Sequence, residues 1–75
     1  MKYIVYDTDR CVLFDEGCNH GSMAMMLGIS DGQVDGAGVV QMDHRGILCS
    51  GESIMLKVKS RGNVDAAVIR RHMGL

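Results

Sequence analysis

Apolar residues fall into short stretches along this chain, separated by acidic and glycine-rich turns. Lys2 to Tyr6 carries Tyr3, Ile4, Val5 and Tyr6 in succession, which predicts a strand covered on both faces. Asp7-Thr8-Asp9 reads as a turn. Arg10 to Asp15, with Cys11, Val12, Leu13 and Phe14, returns as a second strand ending at Glu16-Gly17. The period then lengthens: Met23, Met26 and Leu27 recur at helical spacing, behind Asn19 as N-cap and ahead of Gly28 as a left-handed C-cap, so a helix is predicted over His20 to Leu27. Residues 28–38 hold Gly28, Gly32, Gly36 and Gly38 together with Asp31, Gln33 and Asp35, a composition that favours loop.

Val39 to Met42 and Ile47 to Ser50 flank Asp43-His44-Arg45-Gly46, a hairpin pattern that makes His44 a solvated turn residue. Ser53 to Lys59 alternates, with Ile54, Leu56 and Val58 on one side and Ser53, Met55, Lys57 and Lys59 on the other, and predicts a further strand. Asn63 caps a second helix whose apolar contacts come from Val64, Ala67, Val68 and Ile69. Asp65 lies at its positive end, Arg70, Arg71 and His72 at its negative end, and Gly74 stops it. The expected fold is α+β: one small domain over residues 1–75, with a mixed or antiparallel sheet of about five strands carrying two helices.

A chain of 75 residues has room for one small core, so its stability margin is thin unless it oligomerises, and a homo-oligomer is expected. No stretch approaches ~20 apolar residues, and charge arrives too early at the N-terminus for a signal peptide, which points to a cytoplasmic protein without membrane contact. Cys11, Cys18 and Cys49 are odd in number and contain no Cys-x-x-Cys pair, so reduced, buried or half-buried thiols are expected rather than disulfides. Cys18, His20, His44 and Cys49 fit no common zinc spacing, and no metal or cofactor is expected. Among seven methionines, Met23, Met25 and Met26 read as filler of a small core.

Net charge is −1, but residues 1–36 carry two basic and six acidic side chains while residues 37–75 carry six basic and three acidic ones. Lys57, Lys59, Arg61, Arg70 and Arg71 read as a solvated face; gathered into one positive surface, they would suit a phosphorylated partner. There is no broad basic footprint and no nucleic-acid-binding motif, so nucleic acid is not an expected partner.

The richest chemistry lies at Asn19-His20-Gly21-Ser22. The first amides of a helix lack internal partners and carry the positive end of its dipole, so a phosphate can dock on Gly21 and Ser22 with the His20 imidazole alongside. Gly51-Glu52-Ser53 adds a hydroxyl and nearby amides, Gly36-Ala37-Gly38 permits a tight backbone approach, and Lys2 adds charge. Asp7 and Asp9 at a strand end resemble the first motif of haloacid-dehalogenase-type phosphatases, but that domain is far longer than this chain.

Taken in order, these segments resemble the Janus or phosphohistidine-phosphatase family over most of the chain. Lys2-Tyr3-Ile4-Val5 is similar to that family's Lys-Tyr-Val-Leu opening strand, and His20-Gly21 stands where its Tyr-His-Ala-Asp-Ile carries the active histidine. Gly36-Ala37-Gly38 corresponds to its glycine triplet, and Gly51-Glu52-Ser53-Ile54-Met55 to its Gly-Tyr-Ser-Met-Ala phosphate loop. The resemblance implies a metal-independent phosphatase acting on phosphohistidine. His20 would be the base or phosphoryl acceptor, Ser53 and the amides of Gly21 and Met55 would hold phosphate oxygens, and Lys2 would offset their charge. The partner implied is a phosphorylated protein or a small phosphorylated ligand. Val12 and Val39 stand where the family has arginines, which removes charge-assisted phosphate contacts. The alternative is a non-catalytic anion-binding or protein-interaction module on the same scaffold.

Overall fold

The computed structural model describes residues 1–75. Its centre is an antiparallel sheet in which β1 (Lys2–Tyr6) lies between β2 (Arg10–Phe14) and β3 (Val34–Asp43), with β4 (Gly46–Ser50) on the far side of β3. A two-stranded ribbon of β5 (Glu52–Ser53) and β6 (Val58–Lys59) follows, and the helices are α1 (His20–Leu27) and α2 (Asn63–His72). The fold is α+β with two helices, as the pattern predicts, and its strands number six in two antiparallel sheets. No helix is long and apolar enough to cross a membrane.

Strand alternation sorts the core into two halves. Tyr3, Val5, Cys11, Val40 and Cys49 face α2 and pack on Ala66, Val68 and Ile69. On the other side Ile4, Phe14 and Ala37 meet Ala24 of α1 and Ile29, with Leu56 and Val58 of the ribbon segment packed against them. The sheet is therefore the middle of three layers, which explains why β1 is apolar from Tyr3 to Tyr6. Burial of a side chain such as Ile4 or Ile69, both fully enclosed, contributes roughly 1.5–3 kcal/mol.

Helix α1 forms as its sequence predicts. The Asn19 side chain accepts the Ser22 amide at 2.7 Å, and Gly28, at φ 71°, donates its amide to the carbonyls of Ala24 and Met25. Its burial follows expectation only at Met23, which is half-buried against the core. Only His20 and Ala24, four residues apart, are buried, while Met25 and Met26 are 82% and 74% exposed, so neither fills the core. The helix touches the sheet along one narrow stripe, and its methionines occupy more than that stripe.

Three further segments depart from the pattern. Residues 28–38 are not a continuous loop: a 3-10 turn at Asp31–Gln33, closed by a capping box between Ser30 and Gln33, leads straight into β3 at Val34. Gly36 and Gly38 sit inside that strand because of what packs on them. The alternating stretch Ser53 to Lys59 is broken, since the Ser53 hydroxyl accepts the Leu56 amide at 3.1 Å and the Lys57 amide bonds to the Ile54 carbonyl, closing a turn that leaves Ile54 83% exposed. Gly62, not Asn63, is the N-cap of α2, and Asn63 is already helical.

A buried polar cluster fixes α2 on the sheet. Asp65 has no exposed surface; its Oδ1 accepts Arg61 Nε at 2.7 Å, and its Oδ2 accepts the Arg61 amide at 2.9 Å and the Tyr3 hydroxyl at 2.5 Å. The Tyr3 proton is thereby committed to the carboxylate, so the Ser60 hydroxyl, 2.7 Å away, donates to the phenol oxygen, and Ser60 in turn accepts the Gly62 amide. A Cβ at position 36 would collide with the Asp65 carboxylate, so only glycine leaves room for the cluster. Burial first, and the Asp65 carboxylate beside it, push the Tyr3 phenol far above its ordinary range. The Cys49 thiol is pushed up to about 11, again by burial first and then by Asp65.

Gly36→Ala is expected to destabilise the chain by roughly 1–3 kcal/mol through overpacking. Gly32→Ala, at a position with open space, should leave the urea midpoint nearly unchanged. Equal effects at both sites would contradict this account. The pH dependence has a definite sign. Tyr3 and Cys49 are acids held neutral in the fold, so their contribution is complete below about pH 9 and declines as pH rises past the ordinary thiol and phenol values, where the unfolded chain loses protons first. Urea titrations from neutral to alkaline pH should show this decline. Tyr3→Phe should cost about 1.5–3 kcal/mol at neutral pH and show a shallower alkaline loss.

Candidate functional site

The N-terminus of α1 is set by Asn19, whose backbone is extended and whose side chain and carbonyl take the amides of Ser22 and Met23. The amides of His20 and Gly21, at the positive end of the helix dipole, have no partner within the chain. Four of the five residues singled out from sequence surround this turn. Lys2 Nζ donates to the Cys18 carbonyl at 3.1 Å, which brings its ammonium to the segment entering α1.

His20 is 6% exposed, stacked edge-on against Phe14 with ring centroids 5.4 Å apart, and its Nε2 lies 2.9 Å from the Gly38 carbonyl oxygen. A carbonyl can only accept, so Nε2 carries a proton and donates it to Gly38. No buried side-chain nitrogen or oxygen lacks a partner, and Nδ1, which has none, therefore keeps contact with solvent. The imidazole is anchored to the sheet by one nitrogen, while the other has no partner within the chain.

Gly21 faces Met55, and a Cβ on Gly21 would lie 3.1 Å from the Met55 Cε. The Met55 side chain thus packs beside the first turn of α1. Ser53 is 2% exposed, and its hydroxyl oxygen closes the ribbon turn by accepting from Leu56. The glycine segment does permit close approach, but what approaches Gly36 is the Asp65 carboxylate and what approaches Gly38 is the Ser50 carbonyl.

Beside this turn is an open depression of about 390 Å³, lined by Gly21, Met25, Ile29, Met55 and Leu56, with Asp31 the charged residue in its wall. No Lys or Arg lines it. A carboxylate without a cation disfavours an anion here, whereas the apolar lining suits a hydrocarbon side chain. Met25 and Met55, in its lining, are 82% and 64% exposed.

Neither this surface nor the Tyr3–Asp65 cluster follows from reading the residues one at a time. A signal for the first was present: Met23, Met25, Met26 and Leu27 span more than half a helical turn, wider than one sheet contact can cover. No three His, Cys, Asp or Glu side chains converge as a metal site. Cys49 belongs to the α2 side of the sheet and Cys18 to the α1 side, so the sheet itself separates the residues a zinc reading would combine.

Burial raises the Cys11 and Cys49 thiols, whereas Cys18 is partly exposed, with its thiol 3.6 Å from the Asn19 carbonyl. Iodoacetamide at neutral pH should therefore label Cys18 alone in the folded chain, and all three cysteines once urea is added. Peptide mass mapping reads the outcome, and early labelling of Cys49 would mean that the α2 face opens readily.

Comparison of the chain with protein-family models, with curated proteins and with solved structures gives no match.

Proposed function

We propose that this protein is a non-catalytic interaction module whose Met25–Met55 depression receives the apolar face of a short amphipathic helix carrying basic residues. The observation that carries the reading is the pair of large apolar side chains, Met25 and Met55, held in water in the lining of a concave surface with one carboxylate and no cation in its wall. Exposed apolar area of this kind forfeits about 25 cal/mol per Å² until something covers it, and contiguous patches mark contact surfaces. Methionine side chains repack around differently shaped partners at low cost. Asp31 selects the sign of the partner's flanking charge, and helix-in-groove recognition supplies the geometry.

A second reading, phosphohistidine hydrolysis with His20 as base or phosphoryl acceptor, is supported by the solvent-facing Nδ1 and by the Lys2 ammonium near the same turn. Asp31 in the wall and the valines at positions 12 and 39 weigh against it.

Methionine-methyl NMR distinguishes the two. A synthetic Leu/Lys amphipathic helix of roughly 18 residues is expected to shift the Met25 and Met55 methyls saturably, its Leu/Glu counterpart much less. Met55→Glu should weaken binding at least ~10-fold, about 1.4 kcal/mol. No shift with the Leu/Lys peptide, or equal shifts with both, would overturn the module. Phosphate release from a phosphohistidine peptide, lost in His20→Ala, would establish the second reading instead.

A further inference from the structure

The outer edge of β4 has no strand neighbour. In β3 the Val40 amide bonds to the Met1 carbonyl on the β1 side, so strand alternation turns Val39, Gln41 and Asp43 toward β4 and engages their partners Ser50, Leu48 and Gly46. The amides and carbonyls of Ile47 and Cys49 consequently point away from the sheet, where β4 has no neighbour. Gly46-Ile47-Leu48-Cys49-Ser50 contains no charge and no proline, and its pairing with β3 runs without a register shift. None of the usual devices that blunt an edge strand is present. Leu48, at the middle of the strand, is 58% exposed.

We infer that β4 is a homodimerisation edge, pairing antiparallel with β4 of a second copy about a two-fold axis at Leu48. In that register Ile47 of each copy stands opposite Cys49 of the other, and the four outward amide and carbonyl pairs are all satisfied. The two Leu48 side chains meet as a non-hydrogen-bonded pair, the closer of the two antiparallel spacings. The strand ends place no like charges directly opposite one another. The His44-Arg45 turn of one copy comes beside Glu52 of the other, twice by symmetry. Arg45 is free to turn, since its contact with Asp43 is a 3.6 Å pair between exposed side chains.

The opposite edge of the sheet gives a control within the same molecule. By the same alternation β2 turns the amides of Cys11 and Leu13 outward, and a two-fold at Val12 would set Asp9 against Asp15 of the second copy, a like-charge pair at both ends. Charge therefore opposes β2 self-pairing and leaves β4 self-pairing unopposed. Dimerisation would join two four-stranded sheets into one of eight strands, leaving the Met25–Met55 depression outside the register that forms it.

The test is light scattering with size-exclusion chromatography over a concentration series, together with amide hydrogen exchange. The mass is expected to rise with concentration from 8.2 kDa to twice that value. The Ile47 and Cys49 amides should become protected over the same range, while those of Cys11 and Leu13 stay fast. Leu48→Lys sets two like charges at the axis, and its exposed position leaves the fold intact, as circular dichroism will show; it should weaken dimerisation at least ~30-fold, about 2 kcal/mol. Arg45→Glu should weaken it less, and adding Glu52→Arg should restore it. A chain that remains at 8.2 kDa at millimolar concentration overturns the inference, as does a dimer that survives Leu48→Lys or leaves the Ile47 and Cys49 amides unprotected.

Discussion

Asp65 is a carboxylate with no exposed surface, and the arrangement of the chain around it follows from the need to satisfy that charge. Its partners come from separate parts of the sequence: Tyr3 from the central strand, and Arg61 from the approach to the last helix. Gly36 leaves the space on β3 into which the carboxylate fits. Removing one partner would leave the buried charge undersatisfied, so the cluster fixes how α2 sits as well as holding it there. A core this small has few other ways to specify the register of a helix on a sheet.

With α2 placed on one face, the other face of the sheet is left to α1 and the ribbon, and these cover it incompletely. The contact stripe on α1 is narrow, through His20 and Ala24, and the ribbon turn brings Met55 beside Gly21. The same packing that anchors the His20 ring to the Gly38 carbonyl leaves Met25 and Met26 facing outward. Structural anchoring and surface exposure at the N-terminus of α1 are thus two results of one geometry. The depression it creates is apolar with an acidic wall, which favours a hydrocarbon partner over an anion.

The local pattern determined those elements whose hydrogen bonds and caps are local. Strands β1, β2 and β4, the turn at Asp7-Thr8-Asp9, and α1 with its Asn19 and Gly28 caps form where their residues predict. The start of β3 was hidden, because Gly36 and Gly38 carry the composition of a loop while their real constraint is the Asp65 carboxylate and the Ser50 carbonyl arriving from distant positions. The alternation of Ser53 to Lys59 likewise concealed a turn, since the bond from Leu56 to the Ser53 hydroxyl competes with an extended chain.

The sequence by itself determined the α+β class and the capped helix at His20, with His20 and Gly21 at its start, because short-range periodicity and capping decide these within a few residues. Tertiary structure alone decided that one nitrogen of His20 is tied to Gly38, that Met25 and Met55 face water, and that Asp65 serves Tyr3 and Arg61 as well as its helix. Each of these depends on which residues of separate segments come within a few ångströms of one another, and strand pairing and layer packing set those distances.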